Sequence, residues 1–325
     1  FAGAATGPWD ADVADFPRQA GETGDSARIM RAVEAAGRGG VVWFPRGEYA
    51  IDAMLNVTNF TSLQLHPFAH LKAVKPLPFV LTYNSREKGI SRPGTLNLFI
   101  RGGDFDGAGL ASCVHVKWRH HFTLSDATFR NGLKVGLQFG DEGQTPGCEM
   151  IVNNIYCICD RPGMAGNVGF LTYIGDSHFT DMIVVDYTVG IRDARWSNRY
   201  TRCHVWGGPV REMLDDSINY DVQGGSAIFR DCYCDTGKIG FRVDGQCRIS
   251  GCQYFSNPIF KLEDITCIAH KQGHLIVDMG LFVKTAKNVK LYDGCGDVTW
   301  TNCDVQGFTP EETPWNGGVA VRTRS

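Results

Sequence analysis

The sequence predicts an all-β chain wound as a single parallel β-solenoid, with one short helix near its start. Three observations carry that prediction. Glycine is plentiful, 39 of 325 residues, without the every-third-residue period of collagen, as a chain of many tight turns requires. Short β-type runs broken by Gly, Asn and Asp follow one another, and no long helical pattern appears after residue 37. A four-residue pattern (apolar, any, Asn/Asp/Gly, small or sulfur-bearing) recurs at steps of 20–29 residues.

The helix comes first. Residues 25–37 read DSARIMRAVEAAG: Asp25 or Ser26 can cap, Ile29, Met30 and Val33 make an apolar face, and Gly37 ends it. The repeat follows as Ile100-Arg101-Gly102-Gly103, Leu124-Ser125-Asp126-Ala127, Val152-Asn153-Asn154-Ile155 and Phe179-Thr180-Asp181-Met182. Further copies are Tyr200-Thr201-Arg202-Cys203, Phe229-Arg230-Asp231-Cys232, Ile249-Ser250-Gly251-Cys252, Ile276-Val277-Asp278-Met279 and Trp300-Thr301-Asn302-Cys303. Short steps with no helix between them exclude leucine-rich and ankyrin arrays and fit a coil that advances one strand spacing per turn, about 4.8 Å. The third position becomes a ladder of bend residues that tolerate left-handed backbone, broken by Arg202. The fourth becomes an interior column, Gly103, Ala127, Ile155, Met182, Cys203, Cys232, Cys252, Met279 and Cys303. That column accounts for four of the 12 cysteines as buried small hydrophobes.

A net charge of −3, from 32 basic and 35 acidic residues, gives no basic field for nucleic acid. No apolar stretch approaches a membrane span. The cysteines and histidines show no zinc-finger spacing, so no metal and no cofactor are expected; calcium is left open without a clear site.

Val13-Ala14-Asp15-Phe16, Gly24-Asp25-Ser26, the helix, and Gly39-Gly40-Val41-Val42-Trp43-Phe44-Pro45-Arg46-Gly47-Glu48-Tyr49 resemble a known N-terminal signature. It is that of the pectate-lyase-like, polygalacturonase-related right-handed parallel β-helix proteins. Pro17 and Arg18 stand where that signature has Gly-Ala. The resemblance covers residues 13–51 and implies a single-stranded right-handed coil. One domain is expected over 1–325, with the cap signature in 1–51 and regular coils from about 97 to 306. The superfamily implies carbohydrate work: hydrolases, lyases, epimerases, fructan-type transferases and phage tailspikes. Gly102-Gly103-Asp104-Phe105-Asp106-Gly107 is similar to an early-coil turn of these proteins.

A second pattern lies between the first: apolar, Gly/Ser, apolar, any, apolar, then Asp nearby. Aligned so, Val135, Val168, Val189, Asp216 and Ile239 share one column, and Asp216 stands where an apolar residue is expected. Asp215 precedes it, in the column of Lys134, Asn167, Thr188 and Lys238. A broken repeat rule marks a candidate site. Leu214-Asp215-Asp216-Ser217-Ile218 resembles the Gly-Asp-Asp-Cys-Ile segment of polygalacturonases, but that family's Asn-x-Asp, Gly-His-Gly and Arg-Ile-Lys partners are missing. In the same alignment Gln138, Arg192, Asn219, Arg242 and Lys261 face outward, where guanidinium groups could meet carboxylates or sulfates of a polymer. Asp141, Asp176, Asp193, Asp221 and Asp244 follow these strands as turn residues. His204 and Trp206 lie beside the insert 207–213, whose Glu212 leads into Asp215.

The expected function is cleavage of glycosidic bonds in an anionic polysaccharide or oligosaccharide, secreted or periplasmic, of bacterial type or phage-associated. One of Asp215 and Asp216 is the expected acid; the other, or Glu212, activates water. Arg192, Asn219, Arg242, Lys238, Trp206 and His204 are the expected substrate contacts. A lyase would use Lys238, His204 or Tyr220 as base; a tailspike or adhesin would only bind. The assembly is expected to be a monomer or homotrimer.

Overall fold

The computed structural model describes residues 8–84, 97–117, 121–143, 147–161, 164–207, 216–256, 264–313 and 322–324. Glu212, Asp215, Lys261 and most of the insert after Trp206 lie outside them. The chain divides into two compact units, Phe1–Ile158 and Cys159–Ser325. In both, the described coils have three faces, some of them joined by one strand that runs from face to face, and the strands pair in parallel with their equivalents one coil on, so the chain is an all-β parallel β-helix.

In the first unit one face stacks Val41–Phe44, Ser62–Leu65, Leu98–Arg101 and the start of Phe122–Arg130. The second stacks Gly47–Ile51, Ala69–Ala73 and Asp104–Asp106, and the third Leu55–Val57, Phe79–Tyr83, Ser112–Val116 and Val135–Phe139. The helix Ser26–Ala36 buries Ser26, Ile29, Ala32 and Val33; Met30, expected inward, is only half-buried. Asp25 does not cap it with its side chain. Its buried carboxylate instead accepts from Arg18 (2.9 and 2.7 Å), Arg28 (2.6 Å) and the Ala50 amide (2.6 Å), tying the helix start to the strand Gly47–Ile51. Burial pushes this carboxyl up, but those donors outweigh it and leave its pKa lowered.

The second unit carries the candidate sites, and its three faces share the same coils. One face holds Val168–Thr172, Val189–Asp193, the start of Ile218–Arg230 and the start of Ile239–Ser250. The next holds Asn198–Thr201, the ends of those two long strands, His274–Asp278 and Asp297–Thr301. The third holds His204–Trp206, Tyr233–Asp235, Gln253–Ser256, Leu281–Lys284 and Asp304–Gln306. The two long strands bend from the first face to the second at Gly225 and Gly245, where φ is 122° and 142°. A Cβ on Gly245 would lie 2.7 Å from the Gly225 carbonyl oxygen, so glycine is needed to stack one bend on the other.

Between the second and third faces runs the expected left-handed ladder: Asp181 (φ 54°), Arg202 (52°), Asp231 (53°), Gly251 (64°), Met279 (52°) and Asn302 (52°). Met279 therefore belongs here, not in the interior column, and is 56% exposed. Gly280 takes the interior place, because Leu281 pairs with Gln253 and Asp304. Arg202 fits the ladder by reaching back one coil to Asp181, with two bonds of 2.7 and 2.6 Å. Cys203, Cys232, Cys252 and Cys303 are buried and free, as expected of small interior hydrophobes. Behind them Phe179, Tyr200 and Phe229 stack with ring centroids 5.0 and 4.8 Å apart.

Candidate functional site

The pairing register decides what each expected site residue can do. Ile218 pairs with Val189 and Ile239, so the strand is shifted by two residues from the alignment read in the sequence. Asp216 does not replace an apolar residue. It is an exposed residue in the turn before the strand, one position from Ser217, whose Oγ accepts the Lys238 amide at 2.9 Å.

The same shift rearranges the outward column. Asp221, not Asn219, stands between Arg192 and Arg242. Its fully buried carboxylate accepts from Arg192 Nε (2.7 Å), Arg242 Nε and Nη2 (2.8 and 2.7 Å) and Gln223 (2.9 Å). These bonds raise the Arg242 guanidinium above its usual value. Both arginines are thus held by a partner of their own chain. Asn219, expected outward, is buried and donates to the Asp235 carbonyl at 3.0 Å. Tyr220, the alternative base, is fully buried and donates to the carbonyls of Cys203 and Tyr233, so it can reach no substrate. Lys238 is half-buried beside the turn of Asp216.

Asp193 and Asp221 are not turn residues either; both lie inside strands and are buried. Asp193 points into the unit, where it accepts from the Arg195 amide (2.9 Å), Asn198 Nδ2 (3.1 Å) and the Tyr200 hydroxyl (3.0 Å). Burial outweighs these donors and pushes its carboxyl up to about 7.

On the third face the structure assembles an aromatic corner. His204 pairs with Tyr233, and their rings stack at 4.2 Å; His204 and Trp206 are near-parallel at 6.2 Å; Phe255 meets Tyr233 edge-on at 5.5 Å. The Tyr233 hydroxyl donates to the Asp235 carboxylate, and Thr236 Oγ1 donates to it at 2.9 Å. Burial lowers the His204 imidazole, which favours its neutral form. Gly207, leading out of this strand, is bonded to Thr236 through its amide at 2.6 Å. His204 and Trp206 were legible in the sequence; Tyr233, Asp235 and Phe255 join them through coil register.

The second face holds two adjoining hollows of about 310 and 300 Å³ that sequence reasoning missed. Arg199, Ile228 and Arg248 line both. The signal lay in the repeat itself. With Tyr200, Phe229 and Ile249 interior, the residues on either side must point outward. No group of three or more His, Cys, Asp or Glu side chains among the described residues could hold a metal ion.

No family model and no curated protein matches the sequence. Among solved structures, the chain is similar to the ORF18 protein of Geobacillus virus E2, at 13% identity and TM-score 0.67 over 91% of this chain and 61% of that one. It is also similar to PfbA, a surface adhesin of Streptococcus pneumoniae, at 12% identity and TM-score 0.63, over 91% and 84% of the two chains. A third is the catalytic unit of a GH87 α-1,3-glucanase from Streptomyces thermodiastaticus, at 13% identity and TM-score 0.55, over 100% and 70%. The chain therefore spans less than two thirds of the phage protein, and at these identities the likeness establishes the fold.

Proposed function

We propose that this chain acts on a glycan outside the cell or on a phage particle, and that it cleaves glycosidic bonds with the aromatic corner of His204 and Trp206 seating the sugar and Asp216 supplying a carboxyl group. One observation carries the reading. Stacked aromatic rings, His204 on Tyr233 with Trp206 beside them, adjoin a hydrogen-bonded carboxylate, Asp235, and an exposed carboxylate, Asp216, lies in the turn before the strand Ile218–Arg230. Half-buried ring faces seat the apolar face of a sugar, and carboxyl groups exchange protons with glycosidic oxygens and water. In this reading Asp216 and Asp215 supply acid and base, with Glu212 as the alternative base. Trp206 and the neutral His204 hold the ring, and Asp235 receives a sugar hydroxyl.

The fold supports the substrate class, since one structural neighbour is named as a glucanase and another as a surface adhesin. A reducing-end assay on a panel of acidic and neutral polysaccharides tests the reaction. The expected result is new reducing ends with the native chain and none with Asp216→Asn, while the variant keeps its fold by circular dichroism. Products absorbing in the ultraviolet would replace hydrolysis with elimination. Absence of any product across the panel would reduce the function to binding.

A further inference from the structure

We infer that Arg199, Arg230 and Arg248 on the second face of the C-terminal unit form an anion site for the carboxylate or sulfate groups of an acidic glycan. It rests on the glycan reading for the polymer, and on its own geometry for the anion.

Arg199 pairs with Ile228, and Ile228 pairs with Arg248, so the two arginines stand two coils apart, roughly 10 Å along the stack. Arg230 is two residues beyond Ile228 on the same strand and lies diagonal to both. All three side chains are exposed. Among the described residues, neither Arg199 nor Arg230 forms an ion pair, and Arg248 has one carboxylate within 4 Å, Asp278, at 3.8 Å. Three cations around an apolar residue repel one another, and neighbouring like charges on a sheet are destabilising. An anion bound between them relieves that repulsion, and a guanidinium fork matches carboxylate and sulfate oxygens.

The floor suits a sugar. Ile228, 37% exposed, lies between Arg199 and Arg248, and Ile276 follows on the far side of Arg248, so apolar and basic residues alternate along the ladder, while Gln246 and His274, which also line the first hollow, offer hydrogen bonds to hydroxyls. A free anion would need one arginine pair. Three arginines spread over three coils, with Ile228 among them, fit a strand of sugars carrying repeated charges along the stack.

Binding to the whole chain, measured by calorimetry without regard to turnover, tests the site. The probes are polygalacturonate, dextran sulfate, uncharged dextran and inorganic sulfate. The native chain is expected to bind both acidic polymers, to bind dextran at least tenfold more weakly, and to lose affinity as salt rises. Arg199→Gln/Arg230→Gln/Arg248→Gln, all surface changes, is expected to lose at least tenfold for the acidic polymers with an unchanged melting temperature. Equal binding by native and triple-variant chains would overturn the inference, as would failure of the native chain to bind either acidic polymer. Inorganic sulfate binding as tightly as the polymers would also overturn it, since the site would then serve a free anion. A hydrolysis assay that finds no product leaves the binding result unaffected, so the two readings fail separately.

Discussion

Two sets of arginines sit on the same three coils of the C-terminal unit and meet opposite fates. Arg192 and Arg242 flank Asp221 in one ladder; Arg199 and Arg248 flank Ile228 in another, seven residues further along the same strand. In the first, a buried carboxylate consumes both guanidinium groups. In the second, an isoleucine leaves them open to solvent. The residue type is the same and so is the spacing. What differs is the residue one coil away, so in a parallel coil the ladder neighbour decides whether an arginine is part of the frame or available to a ligand.

Removing the central carboxylate tests the closed set most severely. Asp221→Ala should lower the unfolding free energy by about 3–5 kcal/mol, because two guanidinium groups lose the acceptor that holds them; chemical denaturation reads this directly. A loss under 1 kcal/mol would mean that the pair contributes little and that Arg192 and Arg242 are free to bind.

Asp193 links the two sets, since it ends the strand of Arg192 and bonds Asn198, the residue before Arg199. In the fold its carboxyl holds a proton up to about pH 7, against an ordinary value of 3.8. Between those values the fold therefore binds more protons than the unfolded chain, and stability falls as pH rises through the window. The loss is on the order of 3–4 kcal/mol from pH 4 to pH 7. Asp193→Asn should remove this part of the pH dependence, and a native chain no less stable at pH 7 than the variant's trend implies would contradict it.

At the open set, Arg230→Gln alone should change stability by no more than about 0.5 kcal/mol while weakening binding of polygalacturonate. Smallest of all, reductant should leave the melting temperature within a degree or so, because the buried cysteines stack as thiols; a structural disulfide would contribute about 2–4 kcal/mol.

The coil, the left-handed ladder and the cysteine column were legible because each combines an apolar anchor with a residue type that left-handed backbone selects. The slip at Met279 has a simple cause: Asp278, Met279 and Gly280 each satisfy a position of the pattern, and only the pairing of Leu281 settles which. The larger slip, at Ile218, is physical as well. Strand side chains alternate with period two, so a shift of two residues keeps Ile218 and Tyr220 in phase with the inward positions and leaves little trace in the hydrophobic pattern, even though it misplaces Asp216 and Asn219. It moved Asp221 into the outward column and made Asp216 look like an intruder in an apolar one. The open arginines were missed for a third reason. They occupy positions where the repeat accepts any residue, and their significance arises only when three coils are laid side by side.

In this coil the ladder neighbour, not the arginine, sets availability. Ile228→Asp tests it most directly, because it places between Arg199 and Arg248 the partner that Asp221 gives Arg192 and Arg242, and it removes no arginine. This variant is expected to fold and to lose at least tenfold in affinity for polygalacturonate, while Ile228→Asn retains it. Polygalacturonate binding by Ile228→Asp at native affinity would show that the ladder neighbour does not control the arginines.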